Sequence, residues 1–423
     1  MQFSEKILNL TAKAEEVLAP QFAQIERTAF ANTVRVMDAF RTHRVDEAMF
    51  NPTSGYGYND RGREALDSIW ADVMGAEAAI VRHSIVNGTQ ALTIGLFGLL
   101  RPGDILFSIA GKPYDTLDEV IGNAGTPGNG SLRDFGVEYR QADLLADGSF
   151  DREAIARTLS AEGERVKVIF IQRSKGYLNR KTLSVEQIGA LIPFLRAQAP
   201  HSYIVVDNCY GEFTETSEPT AVGADLIIGS LIKNPGGGMA ESGGYLAGSA
   251  RAVELASYRL TSVGCGTEVG ATLGQNKSLF KGLFYAPHTT AQALKTAHLA
   301  AWIFGEGLGF DVEPAWNEVR YDIIQAITTH TPEGLCAICR GIQAGSPVDS
   351  HVTPEPWAMP GYSDPVIMAA GAFTQGSSIE LSADGPLRPP YTAFLQGGLT
   401  YESGKLGIMS AADEVLRSLD RTK

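Results

Sequence analysis

The chain has 423 residues, of which 44% are apolar and 20% charged, and a net charge of -13. That length suggests two or three domains with a substantial core, and the composition excludes a disordered protein. The negative charge is spread along the chain with no basic block, so neither nucleic acid nor a membrane is an expected partner.

The opening Met1-Gln2-Phe3-Ser4-Glu5-Lys6 carries charges where a signal peptide needs an unbroken apolar stretch, and the expected location is cytoplasmic. Ile7, Leu8, Leu10, Phe22, Ile25, Phe30 and Val34 recur at helical spacing and predict arm helices over residues 4–45. From residue 78 the pattern changes to short apolar runs at 79–81, 105–107, 168–171, 203–206, 226–228 and 245–247, separated by Gly, Asp and helical segments. Runs buried on both faces and alternating with helices indicate a mostly parallel sheet in an α/β domain. The longest apolar stretch near there, Ala91 to Leu100, is far short of the ~20 residues a membrane helix requires. Gly122 to Gly130 reads as a surface loop.

Beyond residue 300 helices and strands mix, suggesting a smaller α+β domain. The expected division is an arm over 1–65, a large α/β domain over 66–300 and a small domain over 301–423. The four cysteines fit a reducing compartment. Thr331-Pro332 reads as a helix cap and first-turn proline, which puts Cys336 and Cys339 on one helix face as buried thiols. No second ligand pair accompanies them, and the seven histidines are scattered, so no metal is expected. Neither a P-loop nor a complete dinucleotide-binding glycine pattern is present.

In open α/β sheets ligands gather beyond the carboxyl ends of the strands. After the run at 79–81 comes Asn87-Gly88-Thr89-Gln90-Ala91, opening an apolar helix whose free N–H groups and dipole suit a phosphate. Taken alone this is equally a turn and cap. Asp207 closes the run at 203–206; by itself it fits a metal ligand or a cap. Lys233 follows the next run in Ser230-Leu231-Ile232-Lys233-Asn234-Pro235, inside a tight Gly-rich turn. A lysine in a dry setting has a lowered pKa and condenses with an aldehyde. A carboxylate keeps a pyridine nitrogen protonated so that the ring accepts electrons. The order of the three elements therefore points to pyridoxal 5'-phosphate (PLP).

The chain resembles the fold-type I PLP enzymes, and more closely the cystathionine lyase-like or methionine gamma-lyase-like family associated with aluminium resistance. The segments that carry the likeness are Tyr56 to Arg63, Gly88 to Ala91, Gln172 to Tyr177, Gly229 to Gly238, Thr353 to Trp357 and Gln375 to Tyr391. The resemblance implies that Lys233 holds PLP covalently and serves as base at Cα, that Asp207 pairs with the ring nitrogen, and that Gly88, Thr89 and Ser230 bind the phosphate, with Gln90 beside them. Tyr114 falls where the superfamily places an aromatic on the cofactor ring, and in lyase relatives it also takes part in proton transfer to the departing sulfur. Its alternative is a half-buried loop aromatic.

Arg388, set between prolines, suits a clamp on the substrate α-carboxylate; the alternative is a structural pair with Asp384 or Glu380. Tyr56 is a candidate for the distal part of the substrate. Tyr58 and Arg63 resemble a pair that cystathionine lyases supply across a subunit boundary, which implies a homodimer or homotetramer with shared sites. Ile232 departs from the Ser-x-Thr-Lys of those lyases and removes one phosphate hydroxyl, and Asn87 and Gln90 also depart from the closer family's phosphate loop. The expected reaction is α,β- or α,γ-elimination from a sulfur-containing amino acid. The same residues could serve an aminotransferase, or a PLP-binding protein with a regulatory or cofactor-handling role.

Overall fold

Short β-branched runs with two buried faces find partners only inside a sheet. The computed structural model describes residues 2–178, 180–359 and 364–421. The chain divides into two units, the first of which here comprises Val34–Leu231 and Met239–Phe284. In it β1 (Ala78–Arg82), β2 (Ile105–Ser108), β3 (Glu138–Gln141), β4 (Val166–Gln172), β5 (Tyr203–Asp207), β6 (Leu226–Ser230) and β7 (Gly244–Gly248) form one sheet in the order β1-β7-β6-β5-β4-β2-β3. The strands from β3 to β6 in that order are parallel, and only β7 runs against its neighbours β1 and β6. All six expected runs are strands. The unexpected one, β3, is a half-buried edge strand of sequence Glu-Tyr-Arg-Gln, with no β-branched residue to announce it.

Helix α2 (Arg61–Met74) starts at Asp60, whose carboxylate accepts the Arg63 N–H, and ends at left-handed Gly75. Helix α3 (Gly88–Leu99) is apolar on nearly every side because it is enclosed: Leu92, Ile94, Leu96 and Leu99 pack with Ile80, Leu106, Ile228 and Leu246 of the sheet. Burying each such side chain contributes about 1.5–3 kcal/mol. Helix α4 (Asp115–Ile121) follows β2, α5 (Arg152–Glu162) follows β3, and α6 (Val185–Gln198) opens with a complete capping box between Ser184 and Gln187. Helix α7 (Ala250–Leu260) follows β7. Residues 122–130 form the expected loop, secured where the Gly128, Gly130 and Ser131 amides donate to Asp134 at 2.9 Å.

The other unit comprises Met1–Thr33, Ile232–Gly238 and Tyr285–Lys423. Its sheet is antiparallel, with β8 (Asp311–Glu313), β9 (Ile324–Thr328), β10 (Val366–Ala369), β11 (Ser382–Pro386) and β12 (Thr392–Gln396) in the order β10-β11-β12-β9-β8. Helices α9 (Pro332–Gly345) and α10 (Tyr401–Arg421) meet through small residues: a Cβ on Gly341 would lie 2.4 Å from the Ala411 Cα. Thr331 caps α9 as expected, and Cys336 and Cys339 are buried on it, where loss of solvent pushes both thiols above their ordinary range. The arm is a single helix, Glu5–Thr42, that runs through Pro20, and its Ile7, Ala14 and Leu18 join this unit's core. No glycine or cap interrupts that stretch. Among the described residues no helix is long and apolar enough to cross a membrane, and no cluster of three His, Cys, Asp or Glu side chains could hold a metal ion.

Candidate cofactor site

Parallel pairing brings the carboxyl ends of β4, β5 and β6 to one edge, with Gln172 opposite Asp207 and Asp207 opposite Ile228. The strands terminate there in polar residues that are nevertheless buried: Gln172, Asp207 at 6% exposure and Ser230 at 0%. One Asp207 oxygen accepts the Cys209 N–H at 3.1 Å. The Ser230 hydroxyl is buried and, among the described residues, has no hydrogen-bond partner. Leaving such a group unsatisfied costs about 1–3 kcal/mol, which a bound acceptor would recover.

The start of α3 faces this edge. A Cβ on Gly88 would lie 3.4 Å from the Ser230 Cβ and 3.5 Å from the Cys209 Sγ, so the missing side chain leaves the approach to both open. Helix geometry leaves the first-turn amides without intrahelical acceptors, and the dipole makes this end positive. Asn87 caps the helix by accepting the Gln90 N–H at 2.8 Å, and Gln90 turns back to accept the Val86 N–H at 2.6 Å. Gln90 thus secures the turn through its side chain. Thr89 meets Thr116 of α4, hydroxyl to hydroxyl, at 2.8 Å.

Tyr114 immediately precedes α4 and is half-buried. Its N–H donates to the Gln172 Oε1 at 2.5 Å, and its ring lies 5.9 Å from that of Tyr177. These contacts line one edge in turn: Asp207 beside Gln172, Gln172 to Tyr114, Thr116 to Thr89, and Gly88 to Ser230. An anion at the helix start, a cationic ring nitrogen at Asp207 and an aromatic cover at Tyr114 fit this arrangement, so the residues suit PLP.

Just past β5 lies a buried polar network with no expectation in the sequence. Arg173 donates to Asn208 Oδ1 at 2.9 Å, to the Leu183 carbonyl at 3.1 Å and to Glu215. Asn208 in turn donates to Glu218 at 2.9 Å, and the Tyr245 hydroxyl donates to Glu212 at 2.8 Å. Burial raises the Glu212 carboxyl from 4.5 to about 8, with Glu218 adding to the shift and Tyr245 and Arg173 opposing it. Glu212 is then protonated in the fold across a range where the unfolded chain has lost that proton. Its contribution to stability is whole below about pH 4.5 and is lost as pH rises through about 8, by at most ~1.4 kcal/mol per pH unit. Urea unfolding at pH 5.5 and 7.5 should show that decline in the wild type and a flatter profile in Glu212→Gln; equal slopes would contradict it.

Lys233 comes three residues after Ser230, half-buried, ahead of a 3-10 turn over Asn234–Gly236, and its carbonyl accepts the Gly236 N–H at 3.2 Å. In the unit to which this segment belongs, the Ile232 carbonyl accepts the Ser378 N–H at 3.3 Å, and Gly238 packs on Leu399. Arg388 is elsewhere in that unit, at the tip of the β11–β12 hairpin, 48% exposed and 2.9 Å from Asp364. Its structural partner is Asp364, since Glu380 accepts the Phe373 and Thr374 amides.

Tyr56 and Tyr58 are exposed and stacked, with centroids 5.3 Å apart. Arg63 is turned inward at 1% exposure and donates to the carbonyls of Gly57 (2.6 Å), Gly270 (2.8 Å) and Glu268 (3.2 Å). Its guanidinium therefore ties the loop ahead of α2 to the Glu268 and Gly270 segment. Gly57, at φ 61°, lies so close that a Cβ would come 2.8 Å from the Ala271 Cα.

The family described as methionine gamma-lyase matches residues 7–416. The chain belongs to the methionine gamma-lyase family. It is 49% identical over 413 residues to YnbB of Bacillus subtilis (strain 168), a match covering 97% of either chain. It is 47% identical to the carbon-sulfur lyase involved in aluminum resistance from Clostridium novyi NT, with a TM-score of 0.93 over 100% of this chain and 97% of that one. The PLP-dependent protein YhfS of Escherichia coli shares the fold, with a TM-score of 0.60 at 17% identity over 95% of this chain and 97% of that one. The fold is that of the fold-type I PLP enzymes, and membership of the methionine gamma-lyase family implies PLP as cofactor.

Proposed function

We propose that this member of the methionine gamma-lyase family is a PLP-dependent carbon–sulfur lyase that cleaves a sulfur-containing amino acid by α,β- or α,γ-elimination. The observation that carries the reading is the cradle itself: a buried hydroxyl at Ser230 without a partner among the described residues, facing a helix start whose first residue has no side chain, beside the buried carboxylate of Asp207. Bound PLP supplies an electron sink for charge developing at the substrate Cα. The Gly88 and Thr89 amides and the Ser230 hydroxyl hold the phosphate dianion, and Asp207 holds a proton on the ring nitrogen. Lys233 attaches the cofactor and takes the Cα proton. Tyr114 covers the ring and delivers a proton to the departing sulfur, which avoids expelling a bare thiolate into a dry site. The exposed Tyr56–Tyr58 stack supports a homodimer or homotetramer in which Tyr58 reaches a neighbouring site.

Incubation with cystathionine, cysteine and methionine should release thiol, ammonia and keto acid from at least one of them. Transfer of the amino group to an added keto acid without thiol release would overturn the lyase reading and leave PLP in place.

A further inference from the structure

We infer that the loop leaving β4, Gln172 to Tyr177, is the positioning element for the Tyr114 ring, with Gln172 as its principal positioning residue. The inference rests on the PLP reading above. Gln172 is a buried amide fixed at both ends: its Oε1 accepts the Tyr114 N–H at 2.5 Å, and its Nε2 donates to the Ser174 carbonyl at 3.1 Å. Neither atom can turn without breaking a bond in a dry setting, so the amide cannot drift. Two residues past Ser174 the chain adopts φ 56° at Gly176, and a Cβ there would lie 3.2 Å from the Tyr114 Cδ2. The bare glycine backbone therefore abuts the phenol ring, and Tyr177 adds an aromatic neighbour tilted by 53°.

The loop is itself held. Arg180 donates to the carbonyls of Gln172 at 2.8 Å and Ser174 at 2.5 Å, closing it with one guanidinium. Tyr114 is thus gripped at its backbone by the last side chain of β4, which pairs with Asp207, and at its ring by a glycine of the loop that follows. The arrangement ties the height and tilt of the phenol to the sheet edge where the cofactor ring would lie. Proton transfer requires hydrogen-bond reach, and a displacement of about 1 Å can cost ~10²-fold in rate.

The test is a double-mutant cycle on the PLP-loaded enzyme, with Gln172→Ala and Tyr114→Phe, read by kcat, KM, cofactor content and visible circular dichroism of the bound cofactor. Gln172→Ala should lower kcat by ~10–100-fold, change KM little, keep the cofactor and alter the dichroism. In the Tyr114→Phe background it should cost less than about threefold, because the group it positions is already gone. The same factor lost in both backgrounds, or none in the wild type, would overturn the inference. Should Gln172→Ala fail to fold, Gly176→Ala disturbs the ring from its other side and must show the same background dependence. A colourless wild-type protein that takes up no PLP would instead overturn the cofactor reading and this inference together.

Discussion

Replacing Lys233 by alanine should lower kcat/KM for elimination by ~10³-fold or more and leave the cofactor without covalent attachment. Two functions are lost at once. In the proposed mechanism the amine is both the attachment point for the aldehyde and the base that takes the Cα proton. Lys233 is half-buried, preceded by Ile232 and followed by a turn in which Asn234, Pro235 and Gly236 are buried. PLP should still bind through the cradle, since Gly88, Thr89 and Ser230 are untouched, but it should dialyse away. Retained turnover in Lys233→Ala, measured by keto-acid release, would remove this residue from the mechanism.

Asp207→Asn should lower kcat by about 10²–10³-fold while leaving the fold intact. The amide keeps the shape, and its oxygen can still accept the Cys209 N–H that now donates at 3.1 Å. What disappears is the negative charge that, in the proposed mechanism, holds a proton on the ring nitrogen. Breaking one partner of a buried ion pair costs about 3–5 kcal/mol, and most of that should fall on the step in which charge develops at Cα. Thermal unfolding of the variant without cofactor should match the wild type, separating chemistry from stability. A variant with full activity would mean that the ring nitrogen does not face Asp207.

Much of this was legible in the sequence because it is local. The strand runs, the cap before α3 and the Thr331 cap of α9 each depend on a few neighbouring residues, and so did the placement of Asp207 and Ser230 at strand ends. Residues whose role depends on distant partners were not legible. Gln172 reaches Tyr114 across 58 positions, and nothing near either residue signals the bond. Glu212 becomes a buried acid only when Tyr245 and Glu218 close around it. Arg388 pairs with Asp364 across 24 positions, a partner that the prolines around it do not announce. Arg63 is likewise bound to the carbonyls of Gly270 and Glu268, 207 and 205 positions away.

Reducing the wild-type holoprotein with borohydride, digesting it and locating the modified peptide by mass spectrometry probes the proposed covalent link between Lys233 and PLP. A single pyridoxyl label, on Lys233, is expected. A label on another lysine, or none after incubation with excess PLP, would contradict it.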